Sequence, residues 1–364
     1  MCLCYHHRGR HPRKFRNLVK TRISEPFLGR GGRFLKYRAG KLSTTQQLND
    51  LLKNADKNET FLIGNGENRI PVRFKRGAAN AAALIVNFHG AIDKKTRKVP
   101  AFIPWLPVPP ASAHQISIAD PIIEGHEDLS IAWYAGSEHF DLQAQLHEML
   151  DEFSDLLGVS RTIFFGTSGG GFAALFNAWK AESDSSIAIV GNPQTNILNY
   201  YKGHVDRYQA CCWPSSSDAE GISESICHDV AELFSKAFTK TVIYIQSTAD
   251  TFHMSNHMTP FLQKTAGVKG DRLILDVGFW GGFRHAPEMR AYLPWIRAAL
   301  TSKTTSKKDI LIAKASLQHE VSGGEVGKTS PEKNSKNFEE KDLAFAKVIS
   351  DWMLKTVDTG KVIS

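Results

Sequence analysis

The apolar positions change period repeatedly along the chain, and each change marks a new element. Short apolar runs of strand length occur at 84–88, 129–134, 162–165, 187–190, 241–246 and 273–277. Stretches of helical period lie between them. In 141–157, Leu142, Leu146, Met149, Leu150, Phe153 and Leu157 fall on one face; residues 169–180, 230–238 and 287–300 read the same way. Strand and helix thus alternate from about residue 82 to residue 300, which predicts a mostly parallel sheet flanked by helices. Upstream, 61–64 and 70–75 read as two strands joined at the turn signal Asn65-Gly66, and 43–53 reads as a short helix opened by Ser43 or Thr44.

Other stretches break the pattern. Residues 94–115 are basic, then rich in proline (Pro100, Pro104, Pro107, Pro109, Pro110), and predict a long loop or lid. Residues 192–228 read as irregular and carry Tyr200, Tyr201, Tyr208 and Trp213; with the helix that follows, 192–240 forms a candidate cap. The expected organisation is a basic arm (1–42), an α/β domain (43–300), a linker rich in Ser, Lys, Thr and Gly (301–336) and a C-terminal helix (337–364) with Phe345, Ile349, Trp352 and Met353 on one face.

Charge changes the picture at one end only. Of the overall +8, residues 1–42 hold twelve Lys/Arg against Glu25 alone, a balance of +11, so the remainder carries −3. Such an arm is either a solvated tail or a docking element for an anionic membrane surface or another polyanion. No specific nucleic-acid reader is predicted. The five cysteines (Cys2, Cys4, Cys211, Cys212, Cys227) are odd in number and lack zinc-ribbon spacing, as expected in a reducing compartment. The basic start has no apolar signal core, and no run approaches the ~20 apolar residues of a membrane helix. The expectation is a cytoplasmic protein, at most peripheral to a membrane.

Chemistry gathers at Gly166-Thr167-Ser168-Gly169-Gly170. A serine hydroxyl becomes a useful nucleophile when a base takes its proton and a sharp turn exposes it. Such a strand-to-helix turn needs small residues two before and two after the serine, and here both are glycine. The helix start aims backbone N–H groups at the site, so the Gly169 N–H is a candidate oxyanion donor, and the Ala91 N–H, after His89-Gly90, is the second. A phosphate loop would need Gly-Lys-Ser/Thr, and no lysine occurs between Ser160 and Trp179. Past the later strands stand Asp250 and His285, giving the order Ser168, Asp250, His285. Asp250 can instead cap a following helix, and His285 can instead sit on the surface before Pro287. His253 and His257, four apart, are alternative bases or loop histidines; with Asp250 they have metal-like spacing, but no metal or other cofactor is expected. His89, Tyr200, Tyr201, Trp213, His253 and His257 are expected to line the substrate wall.

Together, His89-Gly90, the Gly166–Gly170 turn, Asp250 and His285 resemble the α/β-hydrolase superfamily over residues 60–300. The resemblance implies that fold and a serine hydrolase or acyltransferase working on an ester or acyl substrate through an acyl-enzyme. A narrower likeness runs through 164–175, Asn192-Pro193-Gln194-Thr195, and Asp250 with His253, His257 and Pro260-Phe261. These segments look like the hydrolase-like domains of bacterial surface-polysaccharide synthesis proteins, which implies a glycan acyl substrate or non-catalytic polyanion binding. The oxyanion segment departs from the esterase pattern, being His-Gly rather than His-Gly-Gly-Gly.

Overall fold

A computed structural model describes residues 44–54, 59–215, 222, 224–280, 287 and 289–322. The basic arm, His285 and the expected helix at 337–364 lie outside the described residues.

Eight strands form one sheet in the order β1-β2-β4-β3-β5-β6-β7-β8. They are β1 Phe61–Asn65, β2 Asn68–Lys75, β3 Ala83–Phe88, β4 His114–Ile118, β5 Arg161–Thr167, β6 Ser186–Gly191, β7 Thr241–Ser247 and β8 Leu273–Gly278. Strand β2 runs antiparallel to β1 and β4; every other pair is parallel. This is the strand order and orientation of the α/β-hydrolase fold. The hairpin closes on Gly66-Glu67, one residue later than the turn signal, because Asn65 pairs with Asn68 and Gly66 takes the left-handed φ of 62°.

The central strands are buried on both faces, and their two-residue period sorts them into two layers. The first four helices are α1 Thr44–Lys53, α2 Pro121–Gly125, α3 Leu142–Leu157 and α4 Gly169–Lys180. Leu84, Val86, Phe88, Phe164, Val190 and Tyr244 join the core that holds α3 and α4. Ile85, Ile163, Phe165, Ile189 and Ile245 join the opposite core with Tyr292, Trp295 and Ile296 of the helix Met289–Thr301. Helix α3 starts at its cap Asp141, whose side chain accepts from the Ala144 N–H, and stops at Gly158, left-handed at φ 64°.

Three expectations are corrected and one, the long loop or lid, is narrowed. Residues 129–134 are not a strand; β4 is His114–Ile118 instead. Trp133 and Tyr134 both have positive φ (54° and 57°), which ends any extended run. Two buried polar residues of β4 fasten loops: the Gln115 side chain donates to the Leu106 carbonyl and accepts from the Leu106 N–H, both at 2.9 Å, and His114 Nδ1 accepts from the Gly77 N–H at 3.0 Å. The Gln115 pairing bears on the second, the proline-rich stretch expected as a long loop or lid: it is a long packed loop, with Leu106 and Val108 buried in the core that also holds Trp295 and Ile310. Third, 192–228 contains the helix α5, Lys202–Cys212, whose buried stripe is Val205, Tyr208 and Cys212. Fourth, the expected linker opens with a helix, Lys307–Ser322. Its Ile310 is fully buried, and Lys314 lies 3.5 Å from the Trp295 ring centroid and 3.8 Å from Asp276.

Candidate active site

Ser168 stands between the end of β5 and the first turn of α4, with φ 55° and ψ −124°. A non-glycine residue held there costs on the order of 1–3 kcal/mol, a strain that concentrates at functional turns. The surroundings enforce it. A Cβ on Gly166 would lie 2.1 Å from the Gly170 carbonyl oxygen, and a Cβ on Gly170 would lie 2.5 Å and 2.6 Å from the carbonyl oxygens of Phe88 and His89. Only glycine lets these backbones cross. The Ser168 N–H donates to the Gly191 carbonyl at 3.0 Å, and its carbonyl accepts from the Gln194 N–H at 3.0 Å, which ties the turn to the end of β6.

The loop after β3 comes against this turn. A Cβ on Gly90 would sit 3.3 Å from the Ser168 Cβ, so the Gly90 backbone abuts the serine and Ala91 follows it, exposed. Gly169 is covered from above: a Cβ there would meet Ile131 Cδ1 at 2.6 Å and Trp133 Cδ1 at 3.4 Å.

His89 proves to be framework rather than substrate wall. It is buried, its Nδ1 lies 2.6 Å from the Gly90 carbonyl, and its Nε2 accepts from the Asp120 N–H at 3.1 Å. The ring therefore has Nδ1 protonated and Nε2 bare, and burial lowers its pKa to about 4. The Tyr134 hydroxyl accepts from the His89 N–H at 2.9 Å and donates to the Ile118 carbonyl at 3.0 Å, joining the ends of β3 and β4. Asp120 caps the short helix Pro121–Gly125 and accepts from the Tyr134 N–H at 2.8 Å; burial raises its pKa to about 7.

Asp250 follows β7 and is buried. It caps the turn Thr251–His253, accepting from the His253 N–H at 3.0 Å, and its Oδ2 lies 2.9 Å from His253 Nδ1. It also accepts from Asn192 Nδ2 at 3.0 Å, while Asn192 Oδ1 accepts from the Ser247 N–H at 2.8 Å. Both readings of Asp250 as cap and as acid are thus compatible. The helical run continues through the π-type turn Met254–Met258 to Thr259–Lys264. His257 is buried, and its Nδ1 accepts from the Thr195 N–H at 3.3 Å. Among the described residues no group of three or more His, Cys, Asp or Glu side chains is arranged to hold a metal ion.

An aromatic group links the two sides. Tyr200 packs against Trp133 (ring centroids 6.0 Å apart), His253 (6.1 Å) and His257 (6.4 Å). Burial raises its hydroxyl pKa, and a hydrogen bond with Gln194 partly opposes this. Tyr201 is half exposed and stacks on Phe252 at 4.0 Å and 15°. Trp213 instead is buried in the main core, so it is no part of an open wall.

Two side chains at the end of β6 carry more than the sequence assigned them. Asn192, left-handed at φ 39°, holds Asp250, and Gln194 Nε2 donates to Ser168 Oγ at 3.0 Å. Their signal was the placement of two carboxamides around Pro193 at the C-terminal end of a parallel strand, where sites in such sheets lie.

No family model matches the chain, and no curated protein matches it. Among solved structures it is similar to the capsule O-acetyltransferase of Neisseria meningitidis serogroup A, at 11% identity and a TM-score of 0.43, over 72% of this chain and 94% of that one. It is also similar to an S-formylglutathione hydrolase from Agrobacterium tumefaciens, at 12% and 0.44 over 72% and 94%, and to the Pyrococcus horikoshii acylaminoacyl peptidase, at 12% and 0.47. The last match covers 70% of this chain and 43% of the peptidase. The likeness concerns the fold, which the strand order and the turn at Ser168 already define.

Proposed function

We propose that this chain is a serine hydrolase or acyltransferase that acts on an ester or acyl substrate. One observation carries the reading: a buried serine held at positive φ between β5 and α4, with a buried carboxylate, Asp250, after β7. Ser168 Oγ attacks the carbonyl carbon as His285 takes its proton. The N–H groups of Gly169 and Ala91 receive the oxyanion. His285 then protonates the leaving group, and water or an acceptor hydroxyl resolves the acyl-enzyme. Asp250 orients the imidazole, and Asn192 keeps Asp250 in place.

A glycan acceptor is the substrate class we favour within this reading. The stacked, half-exposed Tyr201 with Phe252 offers a flat apolar face of the kind sugar rings cover. The basic arm at 1–42 would hold the enzyme near an anionic surface or polymer. No helix among the described residues is long and apolar enough to cross a membrane.

A fluorophosphonate probe tests the proposal directly. The wild-type chain is expected to be labelled and Ser168→Ala to remain unlabelled. Labelling that persists in Ser168→Ala removes Ser168 as nucleophile, and a folded wild type that takes no label favours non-catalytic polyanion binding.

A further inference from the structure

The carboxamide of Gln194 meets the Ser168 hydroxyl in one defined orientation. The Trp133 indole donates its Nε1–H to Gln194 Oε1, and Gln194 Nε2 donates to Ser168 Oγ at 3.0 Å. All three side chains are buried. An indole can only donate, so the amide must turn its oxygen toward Trp133 and its NH2 toward the serine. The reverse orientation would set two donors against each other. Trp133 is itself held edge-on by Tyr208, at 5.4 Å, and Tyr200. On the other side, the Gln194 N–H is bonded to the Ser168 carbonyl. The donor is therefore pre-organised before any substrate arrives.

We propose that Gln194 is a further catalytic residue, a fixed amide donor to Ser168 Oγ, and that Trp133 is the positioning residue that sets which end of the amide faces the serine. The proposal rests on the nucleophile reading of Ser168. Because Oγ accepts from Gln194, its own hydrogen is directed to another acceptor, the base. As Oγ bonds to the carbonyl carbon, its proton passes to the imidazole and the C=O π pair moves to the carbonyl oxygen. The amide loses no proton in this step. It stabilises the negative charge that gathers on Oγ on the way, as a preorganised dipole does in a site that excludes water.

The test measures the fluorophosphonate inactivation rate constant and the reversible binding constant separately for each variant. Gln194→Glu keeps an acceptor for the indole but replaces the donor facing the serine; Gln194→Ala removes both. We expect each to slow inactivation by about tenfold to a hundredfold with binding changed less than about twofold. Trp133→Phe keeps the ring and removes the N–H, and is expected to slow inactivation in the wild-type background. It should add no further slowing to Gln194→Ala, because it acts only through the amide. Thermal melts identify a variant that has lost its fold, and Gln194→Glu is the variant read in that event. If Gln194→Glu reacts at the wild-type rate while Ser168→Ala stays unlabelled, the amide proposal is overturned and the nucleophile stands. If Trp133→Phe slows the Gln194→Ala protein further, its positioning role is overturned. Failure of the wild type to label, or persistent labelling of Ser168→Ala, removes the nucleophile reading and this inference with it.

Discussion

The backbone N–H of Asp120 donates to Nε2 of His89 at 3.1 Å, so two residues whose side chains are perturbed in opposite senses by burial are joined directly. Their linkages to folding run in opposite directions. His89 falls from its ordinary 6.5 to about 4, so between those values the unfolded chain binds more protons, and stability rises with pH. Asp120 climbs from 3.8 to about 7, so there the folded chain binds more protons, and stability falls as pH rises. Across its window His89 contributes about 3 kcal/mol and Asp120 about 4 kcal/mol, from ~1.4 kcal/mol per pKa unit. The two nearly cancel between pH 4 and 6.5. Urea titrations should show Asp120→Asn gaining stability from pH 4 to 6.5, and His89→Gln losing it from pH 4 to 7. Parallel profiles for the two variants would contradict this.

A Cβ at position 170 would press on the carbonyl oxygens of Phe88 and His89, and backbone cannot move aside as a flexible side chain can. Gly170→Ala is expected to destabilise the fold by about 1–3 kcal/mol and to displace the Ser168 hydroxyl. Denaturant unfolding gives the first quantity and the labelling rate gives the second.

Much of this architecture was legible because local and global signals agreed. The helix at 169–180 begins on a glycine run and carries an apolar stretch, so its limits could be read from sequence alone. What escaped was the part in which buried side chains are polar. His114, Gln115 and Ser117 hide β4 from any apolar count, and the stretch at 129–134 looked extended because hydrophobic character does not reveal a left-handed backbone. Ser306 caps the helix Lys307–Ser322 by accepting from the Asp309 N–H at 3.2 Å, within a composition that reads as linker. Ser168 and Asp250 stand past the ends of β5 and β7, where their order in the sequence predicts them. Asn192 and Gln194 gain their meaning from partners 58 and 26 positions away, which no local pattern encodes.

Asn192 donates to Asp250, so Asn192→Asp would set two carboxylates against each other at a buried site. The backbone φ of 39° suits either residue, which isolates the lost donor. A loss of about 1–3 kcal/mol in urea unfolding is expected, with a parallel fall in ester turnover.

His285→Ala should lower ester turnover by about a thousandfold or more, as loss of a triad base does. His253→Ala, which removes a ring partner of Asp250 without removing the base, should cost less. Turnover measured for both variants decides the base: near-normal activity in His285→Ala with loss in His253→Ala would move that role to His253.

Tyr201 is half exposed and touches Phe252 at the surface. Tyr201→Ala is therefore expected to change folding stability by less than about 0.5 kcal/mol while raising KM for a glycan acceptor. A KM unchanged for every saccharide offered would remove the stacking role.

The order of strands in the sheet fixes a timetable for the growing polypeptide. Ser168 hangs on β5, Gln194 and Asn192 on β6, and Asp250 on β7, each strand laid beside the one before it. A ribosome that has released only the first 185 residues has made the strained serine turn but neither the amide that contacts it nor the carboxylate beyond. Of Ser168, Gln194 and Asp250, the serine is synthesised first and waits for the other two.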